Sequence, residues 1–256
     1  MSLSWWNGRV VPAGEVRIDP ADAGFLFGDG LFETLRVDGG RARDVEAHLD
    51  RLFAGLRRIG IDLPEDRAVL EHAVAEIAEA APRPVARMRI TITRSLTRLI
   101  TAAPYEPPAE RLYREGVSVL LLSDHRIDSG GPLAGLKSLC YQLNRMALQI
   151  AESRGAFEAL LLNERGRLAE GSRCNVAVVL QNGVFTPPES DGCLPGTVRR
   201  RLLERGMIQE RSIDPEELIQ ASEVVLMNSL IGVLPVARID GRGVRVGRVA
   251  GRLWEM

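Results

Sequence analysis

One residue in this sequence has a chemistry that no other residue of the chain duplicates. Of the 33 basic residues, 32 are arginine and one, Lys137, is lysine. Arginine can replace lysine on most solvated surfaces, but its guanidinium stays protonated and cannot attack a carbonyl as a neutral amine does. This count is compatible with two explanations: the one lysine is present by chance, or it is kept as a nucleophile. The count alone does not decide between them, because functional lysines are a minority of all lysines.

The position of Lys137 favours a nucleophile. It follows the glycine-containing segment 130–135 and precedes a predicted helix, where an amine can reach a cleft and be partly desolvated. Such an amine is one of four groups that pyridoxal 5′-phosphate (PLP) requires from a protein. The others are a partner for the ring nitrogen, donors for the phosphate and a wall for the ring. PLP is therefore the predicted cofactor, with Lys137 as its Schiff-base lysine.

Glu170 is the candidate partner for the ring nitrogen of PLP. It lies in segment 166–172 between two predicted strands. A carboxylate beside the ring nitrogen keeps that nitrogen protonated and so helps the cofactor to stabilise negative charge. An ordinary exposed glutamate in a turn is the commoner situation for a residue of this type.

Helix starts supply the candidates for the phosphate. Thr197 and Val198 begin a helix after Pro195-Gly196, so their backbone amides are donors at the positive end of the helix dipole. A plain Pro-Gly turn with a capping threonine is the alternative. Ser229 follows a predicted strand, and Arg51 lies off the apolar stripe of its helix, where a surface arginine is the default.

The elements that position these side chains follow from hydrophobic periodicity and from glycine and proline breaks. A loop is predicted over 101–110 and an interdomain linker over 123–135. Helices are predicted over 46–59, 65–81, 141–153, 196–206 and 215–221. Strands are predicted over 10–18, 32–37, 88–93, 117–122, 159–162, 175–180, 224–227 and 234–239.

Composition limits the classes of function. With 256 residues the chain is long enough for two α/β (α+β) domains, predicted over 1–122 and 136–256. The formal net charge of −1 gives no reason to expect a nucleic-acid partner. Three cysteines without CxxC spacing and three scattered histidines predict neither a disulfide framework nor a metal site. These features, with no apolar run long enough to span a membrane, favour a cytoplasmic protein.

The order of motifs resembles the fold-type IV PLP enzymes, the class IV aminotransferase family. This family includes branched-chain and D-amino-acid aminotransferases and 4-amino-4-deoxychorismate lyases. The resemblance covers residues 24–236. Its main segments are GDGLFETLR (28–36), HLDRL (48–52), LKSL (136–139), EALLL (158–162), EGSRCNV (170–176), LPGT (194–197) and NSLIGVLPV (228–236).

The resemblance implies a role for each matched residue. It implies Lys137 as the Schiff-base lysine, Glu170 at the ring nitrogen, and a homodimer of two-domain subunits with the cofactor at the domain interface. Around the phosphate it implies Arg51, Thr197, Val198 and Ser229. On the substrate side it implies Phe32 and Arg36, with Arg98 at a substrate carboxylate and Tyr141 near the phenolic oxygen of the cofactor.

The chain departs from the family pattern at two places. RSLTRL (94–99) stands where the family often has a glycine-rich segment around the arginine, and Cys140 replaces a common asparagine. The segments 28–34 and 228–233 look more like the lyase branch, which converts 4-amino-4-deoxychorismate to 4-aminobenzoate and pyruvate in folate biosynthesis. A transaminase acting on D-amino or branched-chain amino acids is the alternative.

Overall fold

The computed structural model describes residues 2–254, and of Trp254 only the backbone. Its strands are β1 (Leu3–Trp6), β2 (Arg9–Pro12), β3 (Gly30–Asp38), β4 (Arg41–Ala42), β5 (Val85–Thr93), β6 (Arg98–Pro104), β7 (Val117–Ile127), β8 (Glu158–Asn163), β9 (Leu168–Gly171), β10 (Asn175–Leu180), β11 (Gly183–Thr186), β12 (Gln209–Glu210), β13 (Glu223–Asn228), β14 (Gly232–Ile239) and β15 (Arg242–Gly243). Its α-helices are α1 (Ala23–Phe27), α2 (Val45–Arg58), α3 (Arg67–Glu79), α4 (Glu110–Glu115), α5 (Gln142–Ser153), α6 (Thr197–Glu204), α7 (Pro215–Gln220) and α8 (Arg248–Trp254). Two short 3-10 helices cover Ala13–Glu15 and Glu189–Asp191.

The chain divides into two compact units. The first unit contains the residues up to Pro107 together with Leu136–Tyr141. The second contains Pro108–Gly135 and the residues from Gln142 onward. This division differs from the predicted boundaries in the segments 108–122, 123–135 and 136–141, and strand pairing accounts for the placement of 117–127 and 136–141.

The first unit is built on an antiparallel sheet, which within the described residues has the order β2-β1-β6-β5-β3-β4. Side chains alternate between the two faces of a strand. Leu31, Leu35 and Val37 of β3 are buried in the core. The pleat therefore places Phe32, Thr34 and Arg36 on the opposite face.

Helices α2 and α3 cover the apolar face of this sheet. The stripe predicted for 46–59 is found in α2, where Leu49, Leu52 and Leu56 are all nearly inaccessible to solvent and belong to the same core as β3. Gly60 follows the helix with a φ of 66°, a left-handed conformation that favours glycine. Periodicity thus located α2 to within one residue at each end.

The segment that contains Lys137 pairs with β3. Phe32 N donates to Lys137 O (2.9 Å), and Leu139 N donates to Gly30 O (3.0 Å). These bonds continue the sheet edge locally, so the backbone of Leu136–Tyr141 is held by the first unit. The sequence prediction assigned this segment to the C-terminal domain, because the pairing partner lies about a hundred residues earlier in the chain.

The second unit contains a mixed sheet, with the order β12-β11-β10-β13-β14-β7-β8-β9 and β15 paired to β14 in the described residues. Strand β7 is parallel to both β14 and β8. It is longer than the predicted strand 117–122 and runs into the predicted linker, with a register shift between Leu122 and Arg126. Its two strand partners explain why 117–127 belongs to the second unit.

Three strands of the N-terminal sheet, β1, β4 and β6, were not predicted. The predicted strand 10–18 is instead the short strand β2, which pairs with β1 in a hairpin. Its turn is Asn7-Gly8, both with positive φ, a turn sequence typical of tight hairpins. The predicted loop 101–110 begins inside β6, which lies between β1 and β5. Pairing on both sides there outweighs the weak strand propensity of an alanine-rich segment.

Candidate active site

The structure brings three of the predicted residues together: Lys137, Phe32 and Tyr141. Lys137 Nζ lies 4.6 Å from the centroid of the Phe32 ring and 5.7 Å from that of the Tyr141 ring. The two rings meet edge to face, with centroids 5.3 Å apart and planes at 88°. Two aromatic walls therefore flank the amine and reduce its contact with water.

Arg89 shares this aromatic environment and was missed by the sequence reading. Its guanidinium carbon lies 3.9 Å from the centroid of the Phe32 ring, a cation–π distance. Burial and the neighbouring Arg87 lower the pKa of the Arg89 guanidinium, while Tyr141 opposes that change. The predicted strand 88–93 carried a usable signal, because strand alternation separates Arg89 and Thr91 from the apolar Met88 and Ile90.

A buried carboxylate positions Arg51. Arg51 Nε donates to Glu33 Oε1 (2.7 Å) and its Nη2 donates to Glu33 Oε2 (2.6 Å). His48 Nδ1 lies 2.7 Å from the same Oε2. Burial by itself would raise the pKa of Glu33, but the charge and hydrogen bonds of Arg51 and His48 outweigh it and lower that pKa to about 2. Glu33 and His48 are both 1% exposed, so this cluster fixes Arg51 against the sheet.

The two other arginines predicted on the substrate side each contact a carboxylate. Arg36 Nε donates to both carboxylate oxygens of Asp38, at 2.9 and 3.1 Å. Arg98 forms an ion pair with Glu65 (2.7 Å) and donates from Nη1 to Leu96 O (2.7 Å). The charge of Arg98 is thus compensated within the protein.

In the second unit, Glu170 is held by the backbone and side chains around it. It lies in β9, in register with Leu161 of β8. Its Oε2 accepts a hydrogen bond from Leu194 N (2.9 Å) and lies 3.5 Å from Asn175 Nδ2. Asn175 Nδ2 also donates to Leu194 O (2.8 Å). Glu170 is therefore an oriented, half-buried carboxylate and not a solvated turn residue.

The predicted phosphate donors lie close to this carboxylate in the second unit. Helix α6 begins at Thr197 with Gly196 as its N-cap, and no side chain caps it. In the described residues no hydrogen bond is formed by the Thr197 hydroxyl, although Thr197 is only 7% exposed. A Cβ on Gly196 would lie 1.9 Å from Asn175 Oδ1, so the helix start approaches Asn175 closely.

Ser229 follows β13 at the same end of the sheet as Asn175. Asn175 pairs with Met227 in the register of β10 and β13. The Asn228 Oδ1 accepts hydrogen bonds from Leu230 N and Ile231 N, each 2.9 Å, which fixes the turn that carries Ser229. The second unit thus gathers Glu170, the start of α6 and Ser229.

A family model described as "Amino-transferase class IV" matches residues 30–239. The chain belongs to this family. It is 31% identical to the D-alanine aminotransferase of Bacillus licheniformis over 260 residues, which cover 94% of this chain and 90% of the relative. The resemblance inferred from the motif order is confirmed.

Two solved structures are similar to nearly the whole chain. One is 4-amino-4-deoxychorismate lyase from Pseudomonas aeruginosa, with a TM-score of 0.87, 31% identity, and coverage of 99% of this chain and 97% of that one. The other is a hypothetical aminotransferase from Mycobacterium tuberculosis in a PLP-bound form, with a TM-score of 0.88, 26% identity, and coverage of 99% and 96%. The predicted fold-type IV architecture is confirmed, and the protein is a PLP-dependent aminotransferase or lyase.

The chemistry of the donor set agrees with PLP. Each unit by itself carries groups that suit PLP: the first has the amine of Lys137 with aromatic neighbours, and the second has the oriented carboxylate of Glu170. The uncapped amides and unpaired hydroxyl at the start of α6 are the donors that a phosphate requires. Among residues 2–254 no group of three His, Cys, Asp or Glu side chains is arranged to hold a metal ion. In the same residues no helix is long and apolar enough to cross a membrane.

Proposed function

We propose that this protein is a lyase that converts 4-amino-4-deoxychorismate to 4-aminobenzoate and pyruvate, a reaction of folate biosynthesis. The observation that carries the proposal is Arg89. Its guanidinium and the amine of Lys137 both lie over the Phe32 ring, and Arg89 has no carboxylate partner among residues 2–254. A positive charge at that place favours an anionic substrate. The similarity to the Pseudomonas aeruginosa lyase over both full lengths supports the same choice.

Each predicted cofactor residue has a proposed role in the loaded enzyme. Lys137 Nζ would bond to the aldehyde carbon of PLP, and the Glu170 carboxylate would accept a hydrogen bond from the protonated ring nitrogen. Thr197 and Val198 donate to the phosphate with their amides, and Thr197 also donates with its hydroxyl. Arg51 and Ser229 complete the phosphate contacts, Arg51 being held for this purpose by Glu33.

When bound, PLP supplies a conjugated electron sink for the electron pair that is left when a bond beside the substrate nitrogen breaks. In the loaded enzyme, the amine of Lys137 would act as the base that takes the proton from C4 of the substrate ring. The C–O bond to the enolpyruvyl group then breaks, the departing group takes up a proton, and the ring becomes aromatic. Phe32 and Tyr141 exclude water from the amine during this transfer.

Three further assignments complete the proposal. Arg89 binds a substrate carboxylate in place of Arg98, whose charge is compensated by Glu65. Arg36, together with Phe32, borders the substrate, and Tyr141 lies near the phenolic oxygen of the cofactor. A cytoplasmic location stays a prediction.

We also propose a homodimer, since α1 presents three consecutive apolar side chains to solvent. Phe25, Leu26 and Phe27 are 71%, 52% and 73% exposed. Such a cluster on a short helix is typical of an interface. A second copy of the chain is the partner that the family resemblance implies.

An aminotransferase is the second candidate, favoured by the 31% identity to the D-alanine aminotransferase. The two reactions share the removal of a proton by Lys137 and differ in where that proton goes. In a transaminase, Lys137 would return that proton to the aldehyde carbon of the cofactor.

The test is to incubate the holoenzyme with 4-amino-4-deoxychorismate and to measure 4-aminobenzoate and pyruvate by chromatography. Equimolar formation of both products is expected. D-alanine and leucine are tested in parallel, by the appearance of pyridoxamine phosphate. If these amino acids convert the cofactor and 4-amino-4-deoxychorismate is inert, the protein is a transaminase and the proposal is wrong.

A further inference from the structure

Two arginines follow one another on the open face of β5. Arg87 and Arg89 are separated by one residue, so both side chains project from the same side of the sheet, about 7 Å apart along the strand. Phe32 and Arg36 of the neighbouring strand lie on that face as well. Of the two arginines, Arg89 contacts the Phe32 ring that Lys137 also contacts, and Arg87 is exposed.

This face carries positive charge that the protein does not neutralise. Arg87 lies directly opposite Arg36 in the register of β3 and β5, and like charges placed opposite each other destabilise a sheet. Arg36 is compensated by Asp38, which also contacts Arg43. Within residues 2–254 neither Arg87 nor Arg89 has a carboxylate partner, so strand β5 retains two uncompensated guanidinium groups.

The remaining donors of Arg89 point to a carboxylate ligand. In the described residues its one side-chain hydrogen bond is from Nε to Thr91 Oγ1 (3.2 Å). Both terminal nitrogens are therefore available to donate two parallel hydrogen bonds to one carboxylate. Arg87 is close enough to contribute to the lowered pKa of Arg89. An anion bound to either guanidinium relieves this repulsion.

We propose that Arg87 and Arg89 bind the two carboxylates of a dianionic substrate, with Arg89 at the carboxylate nearer to Lys137 and Arg87 at the farther one. This rests on the proposed function only in taking Lys137 as the reacting amine. The substrate 4-amino-4-deoxychorismate fits the requirement, because one carboxylate is on its ring and another on its enolpyruvyl group. A monoanionic amino acid with an apolar side chain offers nothing to Arg87, which makes Arg87 a specificity-determining residue.

The test measures binding to the holoenzyme by calorimetry, with two probes that do not undergo the reaction. Chorismate has both carboxylates but a hydroxyl in place of the amine, and 4-aminobenzoate has one carboxylate. Arg87→Gln is expected to weaken chorismate about tenfold and to change 4-aminobenzoate less than twofold. Arg89→Gln is expected to weaken both probes, and Arg87→Lys to recover part of the affinity for chorismate.

Arg57→Gln is the matched control, since Arg57 is exposed on α2, on the other side of the same sheet. It is expected to bind both probes like the unaltered protein. The inference is overturned if Arg87→Gln binds chorismate as Arg57→Gln does, or if the unaltered protein binds chorismate no more tightly than 4-aminobenzoate. Absence of 4-aminobenzoate formation would refute the lyase but not this inference, because the binding measurements do not depend on turnover.

Discussion

Replacing Glu33 by glutamine tests whether a buried carboxylate stabilises the first unit through Arg51 and His48. The substitution keeps the shape of the side chain and removes its charge. The pKa of Glu33 is lowered from 4.5 to about 2, which corresponds to about 3 kcal/mol of folding free energy at pH 7. We therefore expect Glu33→Gln to lower the free energy of unfolding by roughly this amount, because a charged Arg51 then faces a neutral partner.

The pH dependence of this effect has a definite sign. The folded-state pKa of Glu33 lies below its unfolded value, so the stabilisation is fully present above about pH 4.5 and is lost as the pH falls toward 2. At pH 3 only about half or less of the difference between the two proteins should remain. In strong acid the protonated glutamate and the glutamine become equivalent.

The measurement is urea unfolding at pH 7, 5, 4 and 3, followed by tryptophan fluorescence. Trp5 lies in the core of the first unit, so its emission reports on that unit. Glu15→Gln is the control, since Glu15 is exposed in the same unit. A loss below about 1 kcal/mol at pH 7, or the same loss at pH 7 and pH 3, would show that the carboxylate does not stabilise the unit as argued.

Two other predictions concern the cofactor residues. Gly196→Ala places a Cβ 1.9 Å from Asn175 Oδ1, so we expect a stability loss of about 1–3 kcal/mol and weaker PLP binding in a titration. Gly14→Ala has open space around its Cβ and should change neither, and equal behaviour of the two variants would contradict the close approach. Borohydride reduction of the holoenzyme followed by peptide mapping should place the phosphopyridoxyl group on Lys137, and an unlabelled Lys137 would refute its proposed role.

Local patterns in the sequence were sufficient to predict most helices and the central strands. Helix α2 follows from an apolar stripe, because one face of a helix packs on a sheet and this requirement is visible within 14 residues. Strand β6 was not predicted, although it lies between two paired strands. Its alanines carry little strand signal of their own, and the hydrogen bonds that form the strand come from distant residues.

In the candidate site, too, some residues could be predicted from local sequence and others could not. Motif order identified Lys137, Glu170 and the start of α6, since each lies in a segment whose residues are adjacent in the sequence. The cluster of Glu33, His48 and Arg51 was not recognised as a unit, because its members come from a strand and a helix and no local rule relates them. His48, one of the three histidines scattered along the sequence, is buried beside Glu33.

By itself, the sequence determined the family, because its motifs match one family in their order. It also predicts Lys137 as the Schiff-base residue, because the chain has no other lysine. Tertiary structure decided which arginines are available to a substrate. Arg98 and Arg89 are both arginines in or beside predicted strands, and nothing local distinguishes them. Glu65, distant in sequence, neutralises Arg98, whereas Arg89 lies over the Phe32 ring, which Lys137 also contacts, with no carboxylate partner among residues 2–254. The charge available at a site depends on which side chains meet in space, and that is fixed only when the strands pair.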